Sequence, residues 1–285
     1  MTIKLPPQTH MGQVHLSVAD LNRSLDYYQR GLGLTLLSQD ESWSYLGADS
    51  TILLALREKP GARPQSPATG LYHFALLLPS RLDLARTLRH LLQQRIPLSG
   101  WSDHAVSEAI YLTDPDGHGI EIYRDRPRSE WEYEQGQLKM TVDPLDVDGI
   151  LAELPAAETD WKGMPQDTRM GHIHLHVAHM PAALEFYVNQ MGFDLMVRYG
   201  PQASFVAAGG YHHHLGLNTW AGVGAPPPAA DAIRLEWFEI RLPNRADLTQ
   251  VINHLTSSDI PVHEGDNGYF IDDPSGNRIL LRADR

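Results

Sequence analysis

A repeated segment constrains the fold of this chain more than any other feature. Residues 11–37, MGQVHLSVADLNRSLDYYQRGLGLTLL, align without a gap with residues 170–196, MGHIHLHVAHMPAALEFYVNQMGFDLM, at an offset of 159 residues. The same offset relates DPDGHGIEIY (114–123) to DPSGNRILLR (273–282). Matches at both ends of so long a segment indicate a duplicated folding unit and not a chance similarity.

Each half of the repeat divides again into two similar modules. Alternation in QVHLSV predicts a strand, Asp20 predicts the helix start that follows it, and short alternating runs come next. Ser80 and Asn244 are the corresponding helix caps in the second and fourth modules. We therefore predict an α+β fold of four βαβββ modules, paired into two similar domains, each a curved mixed sheet with helices on its outer face. The predicted ranges are 1–127 for the first pair, 128–168 for a connector with one short helix near 146–154, and 169–285 for the second pair.

Composition narrows the class of protein. The 285 residues carry a net charge of −12, without a basic run, which argues against nucleic acid and an anionic membrane surface as partners. No stretch approaches the roughly 18 apolar residues that span a bilayer, and the first residues lack an apolar signal-peptide core. The absence of cysteine excludes disulfides, thiolate metal sites and cysteine nucleophiles. These observations predict a soluble cytoplasmic protein, and they leave a homo-oligomer open.

Three candidate metal ligands occupy comparable places in the first half. Alternation puts His15, His73 and Glu121 on strand faces opposite apolar residues such as Ile120 and Ile122. If helices cover one face of the sheet, these three side chains point into the concavity on the other. Two imidazoles and one carboxylate form a set that suits Fe(II) or another divalent ion and leaves coordination positions open. A bound cation would also explain a carboxylate in a half-buried strand.

The module pattern and the motif YLTDPDGHGIEIYRD (111–125) resemble the vicinal oxygen chelate superfamily, and within it the type I extradiol, or catechol 2,3-, dioxygenases. The resemblance covers nearly the whole chain. It implies an enzyme that uses Fe(II), or alternatively Mn(II), a small aromatic diol and O₂. It also implies that His104, seven residues before Tyr111, is an acid/base or hydrogen-bond donor, and that Tyr111 binds a substrate oxygen.

The second half departs from this pattern. His174 aligns with His15, but Trp237 and Leu280 stand where His73 and Glu121 would align, so we expect the working site in the first half. The family often carries a further histidine on the last strand of its first ligand-bearing module, and STILLALRE (50–58) has none. Whether the histidine-rich second half holds another metal stays open for His172, His174, His176, His212, His213 and His214.

Two other functions fit the same superfamily. A metal-dependent glyoxalase-type lyase would normally have a fourth protein ligand on the last strand of the first module, and residues 51–56 carry no carboxylate. Thiol transferases of this kind are usually single-pair chains that dimerise, whereas this chain holds four modules. A non-catalytic small-molecule-binding protein would need no metal at all. The extradiol dioxygenase is therefore the favoured prediction.

Overall fold

The computed structural model describes residues 3–134, 136–157 and 160–284, which are mainly strands. In chain order the strands are β1 (His10–Val18), β2 (Thr35–Gln39), β3 (Ser44–Ala48), β4 (Thr51–Glu58), β5 (Gly70–Leu77), β6 (Leu98–Asp103), β7 (Ser107–Thr113), β8 (Gly119–Asp125), β9 (Tyr133–Glu134), β10 (Gln137–Leu138), β11 (Arg169–His176), β12 (Asp194–Tyr199), β13 (Ala203–Ala207), β14 (Leu215–Asn218), β15 (Leu235–Leu242), β16 (His263–Gly265), β17 (Gly268–Asp272) and β18 (Arg278–Ala283). The helices are α1 (Leu21–Asp26), α2 (Arg81–Gln93), α3 (Val147–Ala152), α4 (Met180–Leu184) and α5 (Arg245–Ser257). Shorter helical turns are Tyr27–Gly31 and Glu185–Gln190, which are π-helical, and Arg128–Glu130, which is 3₁₀. None of the helices in the described ranges has the length and apolar character needed to cross a bilayer.

Two eight-stranded sheets carry the fold, and they confirm the predicted α+β class. One has the order β16-β17-β18-β15-β1-β4-β3-β2, and the other β12-β13-β14-β11-β5-β8-β7-β6. The first sheet thus combines strands of the first and fourth modules, and the second combines strands of the second and third. The predicted ranges 1–127 and 169–285 mark the two copies of the repeat and stay a prediction of domain bounds. The repeat defines each module, but the first strand of a module can hydrogen-bond to that of any other, so sequence order does not fix the partner.

The chain packs into two compact units, each described here by itself. The first unit comprises Met1–Ser17, Arg63–Tyr72 and Gly171–Arg285. It holds the strand run β16-β17-β18-β15-β1 and the run β12-β13-β14-β11. β15 and β18 are parallel neighbours, and their apolar residues with no exposed surface alternate along each strand as expected for one face of a sheet. The buried side chains of these two strands include Phe238, Ile240, Ile279 and Leu281.

The second unit comprises Val18–Ala62 and His73–Met170. It holds the runs β4-β3-β2 and β5-β8-β7-β6, together with α2 and α3. Ser80 caps α2 by accepting a hydrogen bond from the backbone N–H of Asp83 (3.1 Å), as its sequence position predicts. The short predicted helix of the connector is α3, which Asp146 caps through the N–H of Gly149 (2.9 Å). Helix α2 buries one stripe at helical spacing, formed by Leu84, Ala85, Leu88 and Leu91.

The repeated DP turns have a structural role. Oδ1 of Asp114 accepts the backbone N–H of His118 (2.8 Å), while Oδ2 accepts the hydroxyl of Tyr28 (2.9 Å). Asp273 and Tyr187 repeat the hydroxyl contact at 3.0 Å. Burial, together with the neighbouring Asp114 carboxylate, raises the pKa of Tyr28 well above its usual value, so the phenol keeps its proton and donates it. These contacts explain why tyrosine and aspartate recur at the same offset in both halves.

We expect Tyr28→Phe to lower the free energy of unfolding by about 1–3 kcal/mol, because it leaves a buried carboxylate oxygen with one hydrogen bond fewer. The matched control is Tyr45→Phe, whose hydroxyl donates to Asp40 (2.9 Å) in an exposed pair and should matter less. Urea midpoints of the two variants and the parent measure the difference. Equal midpoints for the two variants would contradict a stabilising role for the Tyr28–Asp114 contact.

Candidate metal centre and active site

Strands β5 and β8 bring two predicted ligands together. They are parallel neighbours, with Ala75 opposite Glu121. Ile120 and Ile122 are fully buried on one face of β8, and Glu121, on the other, is only 3% exposed. Its carboxylate is therefore buried and does not point to water. Nε2 of His73 lies 3.0 Å from Oε2 of Glu121.

The two predicted catalytic side chains lie beside this pair. Tyr111 of β7 is directly opposite Glu121 of β8, and its ring centroid is 5.7 Å from that of His73. His104 lies in the turn before β7, with Nε2 2.6 Å from the Tyr111 hydroxyl oxygen. A hydrogen-bonded His104–Tyr111 pair thus adjoins the His73–Glu121 pair. The structure brings four of the five residues predicted for the site together.

The structure places His15 in the first unit, where its ring stacks on Trp237, with 3.4 Å between centroids and 20° between planes. Its Nε2 lies 3.1 Å from Oε1 of Gln13. His73 and Glu121 belong to the second unit. The role of His15 as a metal ligand therefore stays a prediction.

His172 of β11 is a further candidate ligand, and it is buried. At the repeat offset, His172 aligns with Gln13, two positions before His15. The strand sequences HIHLHV and HFALLL, which begin at His172 and His73, share a signal: each histidine opens the apolar pattern of its strand.

The His73–Glu121 pair fits a divalent cation. Protein ligands bind such ions at roughly 2.0–2.2 Å, so two ligands of one ion can lie up to about 4.4 Å apart. The 3.0 Å between Nε2 of His73 and Oε2 of Glu121 falls within that range. Imidazole and carboxylate ligands suit Fe(II), Mn(II) and similar ions. A cation would also offset the cost of burying the Glu121 carboxylate, so the pair forms part of a possible metal site.

The other histidines of the second half do not assemble a separate three-ligand group within the described ranges. Ring centroids of His172 and His213 are 4.0 Å apart, and Nδ1 of His213 lies 2.7 Å from Nδ1 of His212. His174 contacts Tyr72, with 5.0 Å between ring centroids. His176 and His214 bind Asn218 and the backbone N–H of Ala208, respectively. The histidine-rich segment thus surrounds one candidate ligand, His172.

The positions that align with the candidate ligands His172, His73 and Glu121 carry Gln13, Trp237 and Leu280, respectively. Glu239 of β15 is opposite Leu280 of β18 in the same parallel register that joins Ala75 to Glu121. The β15–β18 pair therefore repeats the backbone register of β5 and β8 without the candidate ligand side chains.

Comparison with known proteins decides the family. The family model described as the glyoxalase/bleomycin resistance protein/dioxygenase superfamily matches residues 10–122 and 169–281. The chain belongs to this superfamily. A catechol-2,3-dioxygenase of Bacillus subtilis (strain 168) is 43% identical over 271 residues, which cover 93% of this chain and 94% of that protein. This likeness confirms the predicted resemblance to catechol dioxygenases and the assignment as a dioxygenase-type enzyme.

Solved structures support the superfamily fold alone, because their sequences are distant. A candidate dioxygenase from Bacillus subtilis subsp. subtilis str. 168 superposes with a TM-score of 0.65 at 14% identity, covering 99% of this chain and 86% of that one. Glyoxalase I from Zea mays superposes with a TM-score of 0.57 at 15% identity, covering 96% and 92%. The superfamily fold is thus shared with proteins of more than one named activity.

Proposed function

We propose that this protein is an extradiol ring-cleaving dioxygenase that acts on catechol or a substituted catechol with Fe(II) and O₂, Mn(II) being the alternative ion. The observation that carries the proposal is the buried His73–Glu121 pair, with the hydrogen-bonded Tyr111–His104 pair beside it. The 43% identical relative named as a catechol-2,3-dioxygenase supports the same chemistry.

We propose His73 and Glu121 as two of the residues that hold the ion. We propose the buried His172 as the third ligand in preference to His15, because His172, like His73, opens the apolar pattern of its strand. When bound, the ion supplies Lewis acidity and a common point at which a diol and O₂ are oriented. The protein's part is to fix three ligands from three strands and to keep the carboxylate away from water, since Glu121 is nearly fully buried.

We propose that Tyr111 binds a substrate oxygen and that His104 accepts the proton of that hydroxyl. A catechol hydroxyl must lose its proton for its oxygen to bind as an anion, and that proton needs an acceptor. The Tyr111 hydroxyl is placed to contact that oxygen, and His104 Nε2, 2.6 Å away, is placed to take the proton. His213, whose ring contacts that of His172, is a second candidate acid/base. His213 lies in the third module, with His172, whereas residues 50–58, which carry no histidine, lie in the first module.

The proposed function is tested by oxygen uptake. The protein is loaded anaerobically with Fe(II), and in parallel with Mn(II), and then given catechol, 3-methylcatechol or 4-methylcatechol before air is admitted. We expect O₂ consumption with the appearance of a yellow ring-opened product, and neither from protein treated with a chelator. Protein that retains one equivalent of metal yet consumes no O₂ with any of these diols would overturn the proposal. Turnover of a glutathione hemithioacetal without O₂ would instead indicate a glyoxalase-type lyase.

A further inference from the structure

The turn that carries His104 is held in one conformation by its neighbours. It joins β6 to β7, and the backbone N–H of His104 donates to the carbonyl of Ser107 (2.8 Å). Ala105 adopts a left-handed conformation with φ of 65°, which is uncommon for a residue other than glycine. The Asp103 carboxylate accepts the N–H of Ala105 (2.9 Å) and also binds the Arg126 guanidinium (2.5 Å). Asp103 thus stabilises a turn that the local sequence alone does not favour.

A segment of the connector, residues 139–143, pairs with this turn. Asp103 and Asp143 exchange two backbone hydrogen bonds of 2.9 Å each, which makes an isolated antiparallel bridge. The N–H of Thr141 donates to the carbonyl of His104 (3.2 Å). Backbone groups of Asp103 and of His104 are therefore both hydrogen-bonded to the connector segment.

The same segment also contacts the His104 ring. Nδ1 of His104 lies 2.7 Å from the carbonyl oxygen of Thr141. Because a carbonyl oxygen only accepts hydrogen bonds, Nδ1 must carry the hydrogen. A neutral imidazole has one N–H, so Nε2 presents its lone pair, and the Tyr111 hydroxyl donates to it at 2.6 Å. The direction of both hydrogen bonds follows from the chemistry of one backbone carbonyl.

We propose that connector segment 139–143 is a positioning element for His104, with Thr141 as the positioning residue whose carbonyl fixes the Nδ1–H tautomer. The assignment of the moving proton to a catechol hydroxyl rests on the proposed function. In that step Tyr111 gives its hydroxyl proton to His104 Nε2 and receives the proton of the substrate hydroxyl, so one proton in total passes from substrate to His104. The imidazolium keeps its Nδ1–H on the Thr141 carbonyl, so the ring need not rotate.

The tautomer is measurable without metal, substrate or turnover. Protein labelled with ¹⁵N-histidine gives long-range ¹H–¹⁵N correlations that show which ring nitrogen carries the hydrogen, and the spectrum of His104→Gln identifies the His104 signals. We expect the Nδ1–H form in the metal-free parent at a pH where the ring is neutral. An Nε2–H form, or an even mixture of the two, would overturn the proposal.

Two substitutions at one exposed position test the role of the segment. Asp143→Pro removes the N–H that donates to the carbonyl of Asp103, whereas Asp143→Asn keeps it. We expect Asp143→Pro to give mixed His104 tautomers and to lower kcat by up to about 100-fold with little change in KM, because a small misplacement of a catalytic group has that effect. Asp143→Asn should stay within about twofold of the parent in kcat, and its tautomer should not change.

Asp143→Pro protein with the parental tautomer would overturn the positioning role, whatever its activity. If no catechol is cleaved by the parent, the proposed function fails, but the tautomer spectra of the parent and the two variants still decide this inference.

Discussion

Glu121→Gln should weaken metal binding by more than about 100-fold and abolish ring cleavage. Losing a partner that merely orients a ligand typically costs 10–100-fold in metal affinity, and the loss of a direct, anionic ligand should cost more. Glutamine keeps the shape of the side chain, so packing beside Ile120 and Ile122 is retained. Metal content after desalting and a titration with Mn(II) measure the affinity, and oxygen uptake measures the activity.

Thermal unfolding gives an independent measurement of the Glu121 prediction. A ligand at 100 times its Kd stabilises a folded protein by about 2.7 kcal/mol, so added metal should raise the Tm of the parent and leave that of the variant unchanged. The matched control is Asp125→Asn, which removes a carboxylate from the same strand, four residues away, and should retain metal. Metal retention by Glu121→Gln at the parental level would exclude Glu121 as a ligand.

His172→Gln and His15→Gln should differ by about two orders of magnitude in metal affinity. His172 is the proposed third ligand, so its loss should weaken binding more than about 100-fold. The His15 ring stacks on Trp237, so its replacement should leave the affinity within about twofold. The pair is well matched, since both are buried histidines of corresponding strands, β1 and β11.

The reverse result would be informative. If His15→Gln released the metal and His172→Gln kept it, the ligand set predicted from alternation in the first half would be restored, and the group around His172 would lose its assignment. His174→Gln serves as a further control, because it lies two residues from His172 on β11 and contacts Tyr72.

The sequence predicted most of the fold and part of the site. The repeat and its helix caps were sufficient to predict the modules. Alternation in β8 was sufficient to predict that Glu121 is buried. The third ligand could not be chosen by the same reasoning. His172 and His174, which align with residues 13 and 15, lie on one face of a strand, so alternation cannot tell them apart. The neighbours of such residues, for example Trp237 opposite His15, follow only from the register between strands.

The contacts of His104 were also beyond prediction from sequence. Tyr111 and His104 were found through a motif, but the partner of Nδ1 is a backbone carbonyl at Thr141. Main-chain acceptors leave no trace in residue identity, and the connector has no period that would mark residues 139–143 as a pairing segment. Short non-local bridges of this kind become visible only when the path of the chain is known.

The division of the chain into compact units has a consequence for any shortened form of the protein. The first unit is built from Met1–Ser17, Arg63–Tyr72 and Gly171–Arg285, and the second from Val18–Ala62 and His73–Met170. A cut between the two copies of the repeat would therefore separate β1 from β15, its antiparallel neighbour. Either copy expressed alone would lack part of the first unit, so we expect neither copy to fold as it does in the full chain.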